Sequence, residues 1–402
     1  MTSAGWTEKK LGEICDIKIG KTPSRNIKTF WDTSQKANNV WLSIADLNSA
    51  QNKIVSTSKE YISDAALPFM TKVQTGTLLL SFKLTIGRVA FAGKDLYTNE
   101  AIAQLPVIDN NIIDKHYLYY YLSCFNYELL LKGDVKVKGK ALNKQKLKVL
   151  PVIFPHLSEQ QHIVEKIDAV FADIDRAIQI AQKNLQNSKD LFKSKLNLFM
   201  QDCTNCPSVH LIDIYKFIDY RGVTPNKIND GVPLITAKNV KKGYIDYKIK
   251  EFISEQDYND RQSRGISKKG DILFTTEAPL GNVALADLEK FSAGQRIITL
   301  QQYDNSEFSL SNEFYCYYMQ SEIFQKEILS LASGATAQGI KAAKLKLISV
   351  PLVPYPTQQN IVKVLDELHE QTQQLEQIYT QQIADLEELK QSILKKAFNG
   401  EL

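Results

Sequence analysis

The 402-residue sequence lacks long hydrophobic runs and uses cysteine sparingly. No apolar stretch approaches the roughly 20 residues that a membrane helix requires. Met1–Trp6 lacks the basic and apolar regions of a signal peptide. The five cysteines are an odd, scattered set, which is typical of a protein without disulfides in a reducing compartment. These features predict a soluble, cytoplasmic protein.

The sequence also lacks the motifs of the commonest nucleotide-dependent and methyl-transfer enzymes. A methyltransferase acting alone needs a cofactor loop and an Asn/Asp–Pro–Pro–aromatic stretch, and neither is present. Gly133–Lys140 has the wrong spacing for a Walker A loop, and no Ser or Thr follows it. Cys203, Cys206 and His210 could supply three metal ligands. Because no fourth ligand lies nearby in the sequence, we interpret this segment as a structural loop and predict no metal site.

Proline and glycine are absent from residues 158–202 and 357–399. In both stretches apolar residues recur at spacings of three and four, which predicts an amphipathic helix. Ser158 with Gln161, and Thr357 in the second stretch, are the predicted N-caps. About 40 helical residues form a rod of roughly 60 Å. Two such helices most simply pack antiparallel, either as a spacer between domains or as a coiled coil for oligomerisation.

The two helical stretches begin with the same sequence. Residues 158–168 and 357–366 align without a gap from Gln160 and Gln358 onward, at an offset of 198 residues. A solenoid unit is only about 20–50 residues long. The chain is therefore predicted to be a duplicated molecule with pseudo-twofold character and two similar working surfaces.

Short β-type runs separated by Gly, Asn and Pro dominate the segments that precede the helices, which indicates mainly β domains. One added helix is predicted near 114–132 and another near 311–332. Their tyrosines are interpreted as core residues: Tyr117, Tyr119, Tyr120, Tyr121, Tyr315, Tyr317 and Tyr318. The predicted fold class is α+β, with β domains at 1–150 and 203–350 and helical spacers at 151–202 and 351–402.

Positive charge is concentrated in the first β segment. Residues 1–150 hold 21 Lys and Arg against 13 Asp and Glu, a net charge of +8, whereas residues 203–350 carry +1 and 351–402 carry −4. The basic excess favours a polyanionic partner for the large segments. Ordinary solvated lysines are the alternative interpretation.

The framework segments of the two halves resemble one known family. Gly76–Ala90 (GTLLLSFKLTIGRVA) matches Gly270–Ala284 (GDILFTTEAPLGNVA), and Gly139–Asp168 leads through a Pro-containing stretch into the first helix. Together with the ending Lys396–Leu402 (KAFNGEL), these segments resemble type I restriction–modification specificity (S) subunits. The resemblance covers essentially the whole chain, in the family's order of recognition domain, helix, recognition domain, helix.

The resemblance implies a non-catalytic DNA-recognition subunit. Each target recognition domain would read one half of a bipartite sequence in double-stranded DNA, and the helices would fix the unread spacer. The helices would also dock two modification subunits, which bind S-adenosylmethionine and methylate adenine, and motor-nuclease subunits can join them. This chain would hold no cofactor. The helix positions assigned to docking are Ile163, Ile167, Ile174, Leu185, Ile361, Leu365, Leu375 and Leu386.

Base reading requires side chains that match base edges: Arg and Lys suit guanine, Asn and Gln suit adenine, and Glu or Asp accepts from cytosine. Loop residues of the first domain predicted to contact DNA are Lys21, Thr22, Ser24, Arg25, Asn26, Lys83, Arg88, Lys138 and Lys140. Those of the second are Arg221, Thr224, Asn226, Lys227, Lys238, Asn239, Thr276, Glu277, Gln338 and Lys341. Since Glu277 stands where the first half has Lys83, the two loops should read different bases.

Two other functions remain open on sequence grounds. One is a coiled-coil scaffold with protein-binding β domains, and the other is a self-contained DNA-modifying enzyme. The missing cofactor motifs argue against the enzyme. Salt dependence separates DNA recognition from the scaffold, because DNA affinity falls steeply with salt.

Overall fold

The computed structural model describes residues 5–48, 50, 53–131, 142–222, 224–304, 307–334 and 338–401. Lys138 and Lys140, both predicted to contact DNA, lie outside the described residues. The chain divides into two compact units, Met1–Ile180 with Gln382–Leu402, and Ala181–Gln381. Each unit therefore contains one β domain and one part of each long helix.

The first unit is built on a five-stranded sheet, a three-stranded sheet and a two-stranded ribbon, in the orders β2-β9-β6-β7-β4, β5-β3-β8 and β1-β10. Its strands are β1 (Thr7–Lys10), β2 (Lys18–Ile19), β3 (Asn39–Leu42), β4 (Ile54–Val55), β5 (Glu60–Ile62), β6 (Leu78–Ser81), β7 (Val89–Ala92), β8 (Tyr97–Thr98), β9 (Ile102–Leu105) and β10 (Pro151–Phe154). Its helices are α1 (Leu11–Ile14), α2 (Ile44–Leu47), α3 (Lys115–Cys124), α4 (Glu128–Leu131), α5 (Lys144–Lys148) and α6 (Leu157–Cys203), which continues into the second unit.

The second unit repeats this plan with two four-stranded sheets and a ribbon, in the orders β12-β19-β16-β17, β13-β15-β14-β18 and β11-β20. Its strands are β11 (Ser208–His210), β12 (Tyr215–Asp219), β13 (Lys227–Ile228), β14 (Val232–Ile235), β15 (Phe252–Ile253), β16 (Ile272–Thr275), β17 (Val283–Leu285), β18 (Ser292–Ala293), β19 (Ile297–Gln302) and β20 (Ser349–Pro351). Its helices are α7 (Leu211–Ile214), α8 (Glu255–Arg261), α9 (Asn312–Gln320), α10 (Glu322–Leu331), α11 (Ala342–Lys346) and α12 (Tyr355–Phe398), which continues into the first unit.

The central strand of each main sheet is buried on both faces. In β6, Leu78 and Leu80 join the core that contains the long helices, whereas Leu79 points into a second core on the other face. In β16, Phe274 joins the core that contains the long helices, and Leu273 points into the second core on the other face. Alternate residues of a strand face opposite sides of the sheet, so a continuous apolar run is what two covered faces require.

The helices predicted near 114–132 and 311–332 are each a pair of helices. Asp114 caps α3 by accepting hydrogen bonds from His116 N (2.8 Å) and Tyr117 N (2.9 Å). Ser311 caps α9. The interpretation of the tyrosines as core residues is confirmed, since Tyr117, Tyr120, Tyr121, Tyr315 and Tyr318 are buried and Tyr119 and Tyr317 are half-buried.

The long helices pack antiparallel within each unit, as predicted. Ile163, near the start of α6, shares a core with Leu394, near the end of α12. In the second unit Leu196, near the end of α6, shares a core with Ile361, near the start of α12. Over the described ranges, no helix is both long and apolar enough to cross a membrane.

The predicted N-caps are wrong. Helix α6 begins at Leu157 and α12 at Tyr355, so Ser158 and Thr357 lie inside the first turn. The first-turn amides of α12 donate to the carbonyl of Pro354 instead. Pro356 suits this turn because it has no amide hydrogen to leave without a partner.

Five of the eight helix positions assigned to partner docking are buried inside this chain, and that assignment is corrected: Ile163, Ile167, Ile174, Ile361 and Leu365. Their side chains pack in the interior of their own unit, so they cannot face another subunit. Leu185 and Leu386 are half-buried, and Leu375 is 37% exposed. The positions that interrupt the apolar pattern, Ser188 and Thr372, are buried and donate to helix carbonyls of Asn184 and Leu368.

The predicted domain boundary at 150 falls directly before β10, and the one at 350 falls inside β20. Strand β10 pairs with β1 in the register Thr7↔Phe154. Strand β20 pairs with β11 in the register Ser208↔Pro351. The first few residues assigned to each helical spacer therefore close the preceding β domain.

Each long helix is fastened to its β domain by one buried glutamine. Gln160 is completely buried; its Oε1 accepts from Asp114 N (2.8 Å), and its Nε2 donates to the carbonyls of Ile112 (2.9 Å) and Pro155 (3.0 Å). We call this set of contacts the glutamine clamp.

Gln358 makes the same clamp in the second unit. Its Oε1 accepts from Ser311 N (2.8 Å), and its Nε2 donates to the carbonyls of Ser309 (3.2 Å) and Val353 (2.7 Å). The gap-free alignment of the two repeats begins at Gln160 and Gln358. These are also the residues that fasten each long helix to its β domain.

We expect Gln160→Ala to lower the free energy of unfolding by about 2–3 kcal/mol, because it leaves buried backbone groups without partners. The exposed neighbour Gln161→Ala is the matched control, and Gln358→Ala with Gln359→Ala repeats the comparison in the second unit. Chemical unfolding followed by circular dichroism measures the difference. Equal stabilities for the Gln160 and Gln161 variants would show that the clamp adds nothing.

Candidate nucleic-acid interface

The loop after β2 is held against the end of β8 by close backbone contact. A Cβ atom on Gly20 would overlap backbone atoms of Thr98 and Asn99, so only glycine fits there. Lys21 N donates to Thr98 O (2.8 Å), and Trp41 Nε1 donates to Lys21 O (2.9 Å). These contacts fix the position of the next residue, Thr22, without using its side chain.

Arg25 lies on an aromatic surface in the same loop. Its guanidinium group is 3.8 Å from the ring centroid of Trp31 and 5.2 Å from that of Trp41. Both terminal nitrogens bind Glu60, with Nη2 3.0 Å from Oε2. Stacking and a bidentate ion pair give the side chain a fixed direction. Ser24 contributes its carbonyl, which accepts from Trp31 Nε1.

Glu100, which the sequence analysis did not select, stands at the centre of this region. Its Oε2 accepts a hydrogen bond from Thr22 Oγ1. That bond lowers the pKa of Glu100, and the positive charges of Lys83 and Arg25 lower it further, against the opposing effect of burial. Glu100 is therefore a carboxylate at neutral pH. We call this set of residues the first patch: Thr22, Arg25, Lys83 and Glu100.

The second domain places a corresponding set of residues together. Gln295 Nε2 donates to Thr224 Oγ1, and Arg296 Nε lies 2.9 Å from Glu277 Oε1. The Arg296 and Glu277 side chains remain 58% and 46% exposed. We call this set of residues the second patch: Thr224, Glu277, Gln295 and Arg296.

A cavity of about 210 Å³ opens beside the second patch. The predicted residues Thr224, Lys227 and Lys238 line it together with Arg296 and Glu251. Lys227 Nζ lies 2.8 Å from Glu251 Oε1. The other oxygen, Oε2, is buried and has no hydrogen-bond partner among the described residues. The cavity is thus lined by the cations Lys227, Lys238 and Arg296.

Arg221 is held beside the same region by its own domain. Its Nε donates to Asp219 Oδ2 (2.9 Å), and Arg264 Nη1 donates to the Arg221 carbonyl (2.7 Å). The charge of Glu277 also acts on Arg221. The remaining predicted residues are exposed: Lys21, Ser24, Asn26, Asn226, Gln338 and Lys341.

Two predicted DNA contacts are wrong. Asn239 is 1% exposed, and its amide accepts from Thr236 N (2.9 Å) and donates to the carbonyls of Asp246 (2.9 Å) and Ile249 (2.8 Å). Its hydrogen-bonding groups are used to shape a loop. Thr276 is 3% exposed, because the residue after β16 is covered by neighbouring backbone.

Arg88 is exposed but lies apart from the first patch. It lines a separate cavity with Lys53, Tyr119 and Gln391, next to the long helix α12. Its amide donates to Ser81 Oγ (2.9 Å) at the far end of the β6–β7 turn. The structure therefore does not bring Arg88 together with Thr22, Arg25 and Lys83.

The residues that sequence reasoning missed are Glu100, Gln295 and Arg296, which come directly before β9 or β19. Ser81 pairs with Ile102 and Thr275 with Ile297, so the start of each of these strands lies beside the turn that carries Lys83 or Glu277. Only the strand register reveals this proximity, since about 20 residues of sequence separate the two positions.

Comparison with known proteins agrees with this duplicated architecture. The family model of the type I restriction modification DNA specificity domain matches the chain twice, at residues 3–184 and 214–385. The chain belongs to this family. The specificity family does not itself carry catalytic chemistry, and this chain is a DNA specificity subunit of a type I restriction–modification system.

Curated relatives and solved structures support the assignment. The chain is 24% identical to the MjaIX specificity subunit of Methanocaldococcus jannaschii, over 99% of this chain and 93% of that protein. It is 23% identical to the EcoBI specificity subunit of Escherichia coli, over 76% and 69% of the two chains.

Two solved structures share the fold over essentially the whole chain. One, from work on assembly and conformational transition of the type I R-M system, covers 100% of both chains with a TM-score of 0.75 and 19% identity. The HsdS subunit from Thermoanaerobacter tengcongensis covers 100% of this chain and 98% of its own, with a TM-score of 0.55 and 17% identity.

We expect Lys83→Ala to weaken DNA binding about threefold to tenfold and to reduce the slope of log affinity against log salt concentration by about 1, because it removes one half-buried cation from the first patch. Unfolding should be unchanged. The exposed helix residue Lys166→Ala is the charge-matched control. Fluorescence anisotropy over a salt series makes the measurement, and identical slopes for both variants would place Lys83 outside the interface.

Proposed function

We propose that each β domain reads one half of a bipartite target in double-stranded DNA. The observation that carries this proposal is that the two domains share a backbone framework but differ in the polar side chains at equivalent positions of their patches. A shared scaffold with different loops suits two different half-sites. The net charge of +8 on residues 1–150 supports stronger phosphate attraction by the first domain.

The long helices are proposed to set the length of the unread gap between the half-sites. Helix α6 has 47 residues and α12 has 44, and neither contains an internal proline after its first turn. Continuous helices are stiff spacers whose length is fixed by the number of residues. The clamps at Gln160 and Gln358 support this role because they fix each helix to a β domain.

The helices are also proposed to dock two methyltransferase subunits, which would supply S-adenosylmethionine and adenine methylation. Motor-nuclease subunits would join this complex for restriction. Exposed apolar side chains on the helices support docking, in place of the buried positions rejected above: Val170, Ile180, Leu191, Leu198, Leu375, Ile378 and Leu389. Leu375 and Ile378 lie three residues apart on α12 and so share one face of the helix, and neighbouring exposed apolar groups favour a protein partner.

We expect co-expression of this chain with a type I methyltransferase subunit to produce adenine methylation at a split motif, two short halves around a fixed unread gap. Methylation mapping on genomic DNA makes the measurement, with the methyltransferase subunit alone as control. Methylation that is absent, or that is the same without this chain, would favour the coiled-coil scaffold instead.

We expect Ile378→Glu to reduce co-purification of the methyltransferase subunit with this chain by about tenfold, since a buried charge is costly at an apolar contact. Ile378 is 58% exposed, so the isolated chain should keep its stability. The neighbouring exposed residue Gln377→Glu adds the same charge and is the control. Equal recovery of the partner with both variants would exclude this part of α12 from the docking surface.

A further inference from the structure

The first and second patches occupy the same backbone framework. Asn99 N donates to Leu42 O at 2.9 Å, and Gly294 N donates to Ile235 O at 2.7 Å. Asn99 directly precedes Glu100, and Gly294 directly precedes Gln295. The two bonds tie these residues to equivalent neighbouring strands, β3 and β14. Glu100 in the first domain therefore corresponds to Gln295 in the second.

A second matching bond aligns the turns. Phe82 N donates to Ala101 O at 3.0 Å, and Thr276 N donates to Arg296 O at 2.9 Å. Ala101 thus corresponds to Arg296. The residues that follow Phe82 and Thr276, Lys83 and Glu277, correspond to each other as well.

Within this framework the turn and the strand start carry charges of opposite sign, and the two domains reverse these signs. Glu100 and Arg296 lie one residue apart in the alignment of the two strand starts. In the first patch the turn holds a cation, Lys83, and the start of β9 holds an anion, Glu100. In the second patch the turn holds an anion, Glu277, and the start of β19 holds a cation, Arg296. The threonine contact is kept, because Thr224 binds Gln295 as Thr22 binds Glu100.

Both strand-start residues are held in a fixed position and keep groups available for DNA. Glu100 binds Thr22 through Oε2, which leaves Oε1 as a charged acceptor. Arg296 binds Glu277 through Nε, so the terminal nitrogens Nη1 and Nη2 are left to act as paired donors. A charged acceptor suits the amino group of cytosine, and paired donors suit the O6 and N7 of guanine.

We propose that Glu100 and Arg296 are specificity-determining residues that read bases of opposite hydrogen-bonding character. Glu100 accepts from a cytosine amino group in the first half-site, and Arg296 donates to a guanine in the second. Thr22 and Glu277 are positioning residues for these two side chains. This inference rests on the proposed function, in which each domain reads one half of a bipartite target.

The test is methylation of a DNA library by the purified complex of this chain and its methyltransferase subunits, with one half-site randomised at a time. Glutamine suits adenine, so E100Q should move one position of the first half-site from cytosine towards adenine by about tenfold. R296Q should move one position of the second half-site from guanine towards adenine by a similar factor. Neither variant should alter the other half-site.

The matched control variants remove charges of the same sign at the opposite end of each main sheet. Asp16 lies beside Pro106, past the end of β9, and D16N removes an exposed carboxylate. Lys269 lies before β16 and pairs with Glu289 (2.9 Å), and K269Q removes an exposed cation. Both control complexes should keep the wild-type motif.

The outcomes separate this inference from the proposed function. A wild-type complex without a split motif contradicts the proposed function itself. If the wild-type motif is split, the inference is overturned by variants that leave both half-sites unchanged, change both half-sites together, or lose methylation on every sequence. Co-purification and unfolding midpoints of each variant, equal to those of the wild type, confirm that assembly and folding are intact.

Discussion

The buried amide of each glutamine clamp is the contact on which the arrangement of its unit depends. A primary amide with no exposure to water is costly unless its donors and acceptor are paired. Gln160 meets this requirement only where three backbone groups from the loop before α3 and the stretch before α6 converge. The clamp thereby sets the direction and rotation of α6, and the apolar residues that follow, such as Ile163 and Ile167, point into the domain core.

In each unit, the residues that build the core are separate from the residues that can change without loss of packing. The middle of β6 and the middle of β16 are covered on both faces, so Leu79 and Leu273 have no room for polar replacements. The residues just outside these strands lie at the surface, as Leu84 and Ala278 do in the turns that follow them. A different side chain there disturbs little packing. Recognition chemistry is accordingly placed at strand ends and turns, supported by a core that does not depend on it.

Sequence reasoning succeeded where the signal is local and periodic. The long helices follow from apolar spacing, and the contrast of Lys83 with Glu277 follows from aligned turns. It failed where the answer depends on tertiary contacts. Asn239 has the composition of a base-reading residue, but its amide is used internally. Glu100 and Arg296 remained hidden because only the pairing of β6 with β9 and of β16 with β19 brings them beside those turns.

The ribbons formed by β1 with β10 and by β11 with β20 determine how one β domain can be exchanged for another. Each places the entrance and exit of its β domain side by side, immediately before a long helix. A whole domain can therefore be regarded as a cassette whose backbone enters and leaves through one ribbon, and whose core also packs on the long helices. Replacing one cassette by another that keeps the ribbon, the clamp partners and the apolar face packed on the helices leaves the helices unchanged. New half-site preferences can then be acquired in one exchange, without many separate compensating substitutions.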